Sequence, residues 1–201
     1  TLAATGKIEP NRKSLDIAVF GGQIQASAFA PESKGELYLS GRVKGTFAQP
    51  QFTSVVDVHD LIIGDSKVPW IQLRASGNPN LIKFEQVQAQ YGFSSLVGNV
   101  TYQPRSGKLS GTFSSPAIQL AEFGQGNAAG VIRLLDGKVS GTLKSPNVSA
   151  KLEGGTISYS GATLAGLSAS ISASNDLIKI LNGNVAVADG VIVFVAVGVR
   201  V

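Results

Sequence analysis

Gly41-Arg42-Val43-Lys44-Gly45-Thr46-Phe47-Ala48-Gln49-Pro50 is a phrase that this chain repeats. It returns as Gly107-Lys108-Leu109-Ser110-Gly111-Thr112-Phe113-Ser114-Ser115-Pro116, and again as Gly137-Lys138-Val139-Ser140-Gly141-Thr142-Leu143-Lys144-Ser145-Pro146. The shared form is Gly, a base, an aliphatic, any residue, Gly-Thr, a bulky apolar residue, two free positions and Pro. Ordered self-similarity of this kind points to an elongated array of repeated units. Within the phrase, Gly41, Val43, Gly45 and Phe47 alternate with Arg42, Lys44 and Thr46. That is a period of two, the signature of a strand with one wet face. Proline has no amide to donate to a ladder, so each phrase is expected to end its strand at Pro50, Pro116 or Pro146.

The same parity can be followed outward from the phrase. Leu37 and Leu39 extend it backwards, alternating with Glu36, Tyr38 and Ser40. Ile71 and Leu73 oppose Gln72 and Arg74. Leu96 and Val100 form a further strand, and Leu109 with Phe113 and Val139 with Leu143 are the apolar positions of the later phrases. Val148 and Leu152 alternate with Ser149 and Lys151, and Leu167 and Ile171 with Ser168, Ser170 and Ser172. Gly21-Gly22, Gly64-Asp65, Asn78-Pro79-Asn80, Asp136-Gly137, Asn175-Asp176, Asn182-Gly183 and Asp189-Gly190 are turn signals between these runs. A change of parity between Phe84 and Val87 predicts a bulge. Residues 123–130, rich in Gly, Ala and Asn, are expected to be a flexible loop. Val191 to Val201 is apolar on both faces, yet too short for a membrane helix, which needs about 20 residues. No stretch keeps a helical period, so the expected fold is all-β and mostly antiparallel.

Composition limits what such a sheet could do. The chain has 201 residues, 43% of them hydrophobic and 15% charged, with 24 glycines, which fits an ordered β protein and not a disordered one. Its net charge is +4, but the 17 bases are scattered, without aromatic interleaving, so no nucleic-acid partner is expected. The absence of cysteine excludes disulfides and thiolate chemistry. The first residue is threonine and no methionine occurs, so residues 1–201 are expected to be a segment of a longer repeating domain.

Catalytic chemistry finds little foothold. His59 is the sole histidine and shares a strand face with Asp57, a two-ligand arrangement short of the four ligands of a structural metal site; a polar outer face is the simpler reading. Gly124-x-Gly126 lacks the rest of a phosphate-binding spacing. The glycosylation triplets Asn99-Val100-Thr101 and Asn147-Val148-Ser149 fall in predicted strands. No nucleophile elbow, Walker loop or zinc-protease signature occurs, and the 13 carboxylates do not pair along any strand as glycosidase chemistry requires. No enzymatic activity, metal or cofactor is expected.

The apolar side then needs an explanation, since covering it is worth about 25 cal/mol per Å². It can pack on a second sheet, close into a barrel, or stay open for an apolar ligand. Gly and Ala are frequent on the predicted inner side (Gly41, Gly45, Ala75, Ala89, Gly98, Gly111, Gly141, Ala150, Ala169), and this favours the last option because small side chains leave room. The phrases Glu36 to Pro50 and Leu134 to Pro146 resemble the TamB and AsmA-like family of translocation and assembly proteins, most clearly over residues 35–160. The resemblance implies an elongated sheet curved into an open groove, built from strand-turn units. The sixteen apolar residues named above would line it against phospholipid acyl chains moving between inner and outer membranes. It also implies a periplasmic location, an outer-membrane barrel partner like TamA, and no catalytic residue. Assembly of outer-membrane proteins, or a structural β-repeat with a dry core, are the alternatives.

Overall fold

The computed structural model describes residues 1–28, 31–64, 66–123, 127–174, 177–187 and 190–200. Thirteen strands follow one another: β1 (Leu2–Glu9), β2 (Ser14–Gln25), β3 (Ser33–Thr46), β4 (Pro50–Ile63), β5 (Ser66–Asn78), β6 (Leu81–Tyr91), β7 (Ser94–Gln103), β8 (Lys108–Gln119), β9 (Ala128–Thr142), β10 (Ser145–Tyr159), β11 (Ala162–Ser174), β12 (Leu177–Val187) and β13 (Gly190–Arg200). They form one antiparallel sheet in strict chain order, with β1 and β13 as its edges, so it is not closed into a barrel. Three single 3₁₀ turns are the only helical pieces among the described residues. The chain divides into two compact units, residues 1–91 with 98–107, and residues 92–97 with 108–201.

The all-β expectation therefore holds, but β1 escaped the sequence reading. Its alternation of Leu2, Ala4, Gly6 and Ile8 with Ala3, Thr5 and Lys7 is as regular as any in the chain. These residues pair with β2 from Leu2↔Gly21 to Glu9↔Ser14. The bulge expected near Phe84 is present: Gln86 has φ +52°, and the β5–β6 register shifts between Gln72 and Arg74.

Several expected turns are bulges instead. Gly21-Gly22 does not reverse the chain; β2 runs through it, with Gln23 at φ +53° and a register shift between Gly21 and Ile24. Asp136-Gly137 and Asn182-Gly183 likewise lie inside β9 and β12, with Asp136 at φ +51° and Asn182 at φ +49°. The reason is conformational: a two-residue hairpin and a bulge both need a left-handed residue, so the same dipeptides serve either. A two-residue reversal with both residues at positive φ falls elsewhere, at Ser160-Gly161 (φ +48° and +86°) between the paired Tyr159 and Ala162. Of the expected loop, Gly124 to Gly126 lies outside the described residues, and Ala128 already begins β9. Asp65, Asn175-Asp176 and Asp189 also lie outside them.

The prolines of the phrase behave differently from expectation. Gly45 (φ +119°) faces Pro50, and the Thr46 Oγ1 accepts the Gln49 amide at 3.1 Å. In the third phrase Gly141 (φ +96°) faces Pro146, and the Thr142 Oγ1 accepts the Ser145 amide at 3.2 Å. Gly-Thr thus builds the hairpin, and proline belongs to the start of the returning strand. Pro116 sits inside β8, where the register shifts between Ser115 and Ile118. The bulge there tolerates a residue without an amide donor.

β3–β6 and β9–β12 are one module built twice. Each residue of the second stands 96 positions after its counterpart (141 − 45, 146 − 50, 182 − 86), and β5 and β6 match β11 and β12 end for end on this offset. The Leu81-Ile82-Lys83 opening of β6 recurs as Leu177-Ile178-Lys179 in β12.

In the second unit, the 3₁₀ turn Leu120–Glu122 closes a polar clasp. The Glu122 carboxylate accepts the Phe93 amide at 2.5 Å and the Ser94 hydroxyl, while the Ser94 Oγ accepts the Gln119 amide at 2.8 Å. The Ser94 hydroxyl bond in particular holds the Glu122 carboxyl below its usual range.

Two outcomes are expected. Gly45→Ala or Gly141→Ala would set a Cβ 2.7 or 2.5 Å from a carbonyl oxygen at positive φ. Each should cost about 1–3 kcal/mol in urea unfolding, whereas Gly22→Ala, with only ordinary contact to Tyr38, should cost far less. For Glu122, a folded-state pKa below the unfolded value means stability that is present above about pH 4.5 and lost as pH falls through the folded-state pKa. Glu122→Gln should lower the urea midpoint at pH 7, and the difference from wild type should shrink below pH 4.

Candidate functional site

Residues directly paired across a ladder share a face, so the registers decide where the predicted apolar set lies. In the first unit the rows Leu37–Val58–Ile71, Leu39–Val56–Leu73 and Val43–Phe52 run across β3, β4 and β5. β2 adds Leu15, Ile17 and Val19 opposite Gly45, Val43 and Gly41, and β6 adds Phe84 and Ile82 opposite Ala75 and Gly77. In the second unit Leu109 and Phe113 face Gly141 and Gly137, Val139 faces Val148, and Leu152 lies between Leu134 and Ala169. Ile171 pairs with Ala150 and Leu167 with Gly154. Each unit thus carries a predominantly apolar ladder on one side.

Phe47 and Leu143 do not belong to these ladders. Both sit in the hairpins that follow Gly-Thr and are 49% and 64% exposed. Strand parity stops meaning anything once the chain leaves its last paired residue, Thr46 or Thr142. Val100 is half-buried in β7, and Leu96 is 36% exposed.

Among the described residues, neither unit supplies a second layer over its own ladder. The deepest apolar side chains are Ala26, Val58, Ala75, Leu134, Ala150, Ile157, Ala169 and Val185, half of them alanine, while Leu39, Val43, Ile71, Leu73, Val139 and Leu152 are only half-buried. A sandwich core would bury its large side chains and not its small ones. The small residues, moreover, are not vacant ground. A Cβ on Gly137 would meet the Phe113 ring at 2.7 Å, one on Gly21 would meet Ile24 and Leu2, and one on Gly154 would meet Ile157 and Leu167. Large side chains lean sideways over these glycines, so the free space lies above the face and not within it.

The opposite side is polar. Asp16 on β2 receives a bidentate pair from Arg42, both contacts at 2.5 Å, which holds the Asp16 carboxyl low and raises Arg42. Asp57 accepts from the Gln72 amide at 2.7 Å. Tyr38 donates to Glu36 at 3.0 Å, which raises the phenol pKa, and meets the His59 ring edge-on at 5.5 Å. His59 faces Trp70 across β4 and β5. In the second unit Asp136 and Lys151 pair at 2.9 Å, lowering the acid and raising the base.

Among the described residues no three His, Asp or Glu side chains gather as a metal site, and no helix is long and apolar enough to cross a membrane. The molecule thus defines a class, a single-layer β-sheet protein with an uncovered apolar ladder. No family model, no curated protein and no solved structure matches the chain.

His59 meets the Tyr38 ring and is paired in register with Trp70. His59→Ala should therefore lower stability by no more than about 1 kcal/mol in urea unfolding. A metal bound stoichiometrically by the wild type and lost in the variant would overturn this.

Proposed function

We propose that this chain is a segment of a hydrophobic conduit for phospholipid acyl chains, working in the periplasm between inner and outer membranes. One observation carries the reading: in each unit a multi-strand ladder of Leu, Ile, Val and Phe remains half-exposed on an open sheet. Covering such side chains is worth about 1 kcal/mol each at 25 cal/mol per Å², and acyl chains can do so without requiring fixed shape or hydrogen bonds. The resemblance of the phrases to the TamB and AsmA-like family supplies the lipid, the location and a barrel partner as parts of the same reading.

The β13 edge favours a second role. Val191, Ile192 and Val193 are 65%, 51% and 71% exposed on a strand that pairs on one side only. Before Arg200 this edge carries neither charge nor proline, and such an edge is suited to accept a further strand, as the assembly of outer-membrane proteins would require.

Photo-crosslinking side chains at Leu39, Val43 and Leu73 should capture phospholipid in cells, while those at Ser40, Arg42 and Arg74 should not. Leu39→Asp should fold, because water reaches the carboxylate on an open face, and should abolish capture at Val43. A variant that fails to fold, with no lipid adduct at any of the three apolar positions, would replace the conduit with a dry, covered core.

A further inference from the structure

The polar side of the duplicated module holds two matching depressions. In the first unit one of about 430 Å³ is lined by Arg42, Lys44, Gln51, Thr53, Ser76 and Lys83, among others. In the second unit one of about 520 Å³ is lined by Lys138, Ser140, Asn147, Ser149, Ser172 and Lys179. Each of these residues stands 96 positions after its counterpart (138 − 42, 179 − 83).

The core of each depression is a row of four directly paired residues on four adjacent strands. In the first it is Arg42–Thr53–Ser76–Lys83. In the second it is Lys138–Ser149–Ser172–Lys179. Base, hydroxyl, hydroxyl, lysine is kept at all four positions, and the amide beside the row is kept as Gln51 and Asn147. Several polar-side positions away from the row are not kept: Val55, Trp70, Arg74 and Glu85 correspond to Lys151, Gly166, Ser170 and Leu181, although Asp57 keeps its carboxylate as Glu153. The four-residue row is thus held complete among positions most of which have diverged.

The charge is also kept, by a paired exchange. In the first unit Asp16 faces Lys44 across β2 and β3 and neutralises Arg42. In the second, Ser110 faces Ser140 at the corresponding place. Three cations against one carboxylate, and two cations against none, both leave a net two positive charges at the depression. No carboxylate lines either one.

We propose that each depression binds a phosphorylated sugar. Three inter-strand steps separate the terminal bases by about 14 Å. Lys83 in the first row, and Lys138 and Lys179 in the second, can reach inward to a phosphate lying over the hydroxyl row, while Arg42 is turned to Asp16 through Nε and Nη2 and leaves Nη1 to the row. The volumes fall in the small-molecule range of about 300–1,000 Å³, more than a bare oxyanion needs. Hydroxyl and amide groups that can both donate and accept suit sugar hydroxyls, and Leu81 and Leu177, lining the two depressions at corresponding places, suit the apolar face of the ring. This assignment is independent of the lipid reading, since it uses the other side of the sheet.

The test is a titration of the ¹⁵N-labelled 201-residue chain with glucose 6-phosphate, inorganic phosphate and glucose at low salt, following the amides of Thr53, Ser76, Ser149 and Ser172. Saturable shifts are expected at both rows, at least tenfold tighter for glucose 6-phosphate than for either other probe. Lys83→Ala should weaken binding at least fivefold at Thr53 and Ser76 alone, and Lys179→Ala at Ser149 and Ser172 alone, each variant serving as the folding control for the other row. Shifts that do not saturate, or that survive both substitutions unchanged, would overturn the site. Inorganic phosphate binding as tightly as glucose 6-phosphate would overturn the sugar.

Discussion

Everything in this protein depends on keeping apolar side chains on one side of a sheet that is one layer thick. The side-chain period of a strand is two, so a slip of one residue would send a whole strand's apolar set to the wrong side. The chain meets this with many short corrections. Gln23, Gln86, Asp136 and Asn182 take left-handed conformations inside strands, and the register shifts beside each of them. An extra residue at each point turns the following positions back to their proper side. The bulges are thus the means by which long strands stay amphipathic while their sequences drift.

What could be read in the sequence follows from the same physics. Parity over Leu37 to Val43, Ile71 to Leu73, Leu109 to Phe113 and Leu167 to Ile171 placed residues correctly, because period two is strict within an unbroken strand. It failed at Phe47 and Leu143, where Thr46 and Thr142 turn the chain and the alternation has no ladder to refer to. Dipeptides such as Asp136-Gly137 announced a left-handed residue but not its use, since local chemistry does not say whether a partner strand continues beyond it. Glycines such as Gly41 were taken as empty space, yet a Cβ there would meet the Thr53 carbonyl oxygen at 2.7 Å, so occupancy depends on the neighbouring strand, which no single strand reveals.

The duplication was half visible. The first and third phrases stand 96 residues apart, but the second phrase, embedded in β8 without a turn, obscured that spacing. Only the pairing registers show that Thr53 and Ser149, or Lys83 and Lys179, occupy one structural place. Duplicated modules give an internal comparison: chemistry retained in both copies, such as the base–hydroxyl–hydroxyl–lysine row, stands out against positions like Trp70 and Gly166 that went separate ways.

Strand order equal to chain order has a further consequence within each unit. β3 touches β2 and β4, β10 touches β9 and β11, and loop closure between partners spans only a hairpin. Such an arrangement behaves as a one-dimensional chain of nearest-neighbour couplings, in which the free energy of each strand resides in its two seams. Cooperativity is then finite in length: a strand loses half its support when one neighbour detaches, and opening travels inward from an edge like a zip. Evolution can lengthen such a molecule by inserting or copying hairpins without redesigning a core, because no distant contact has to be satisfied when a seam is added.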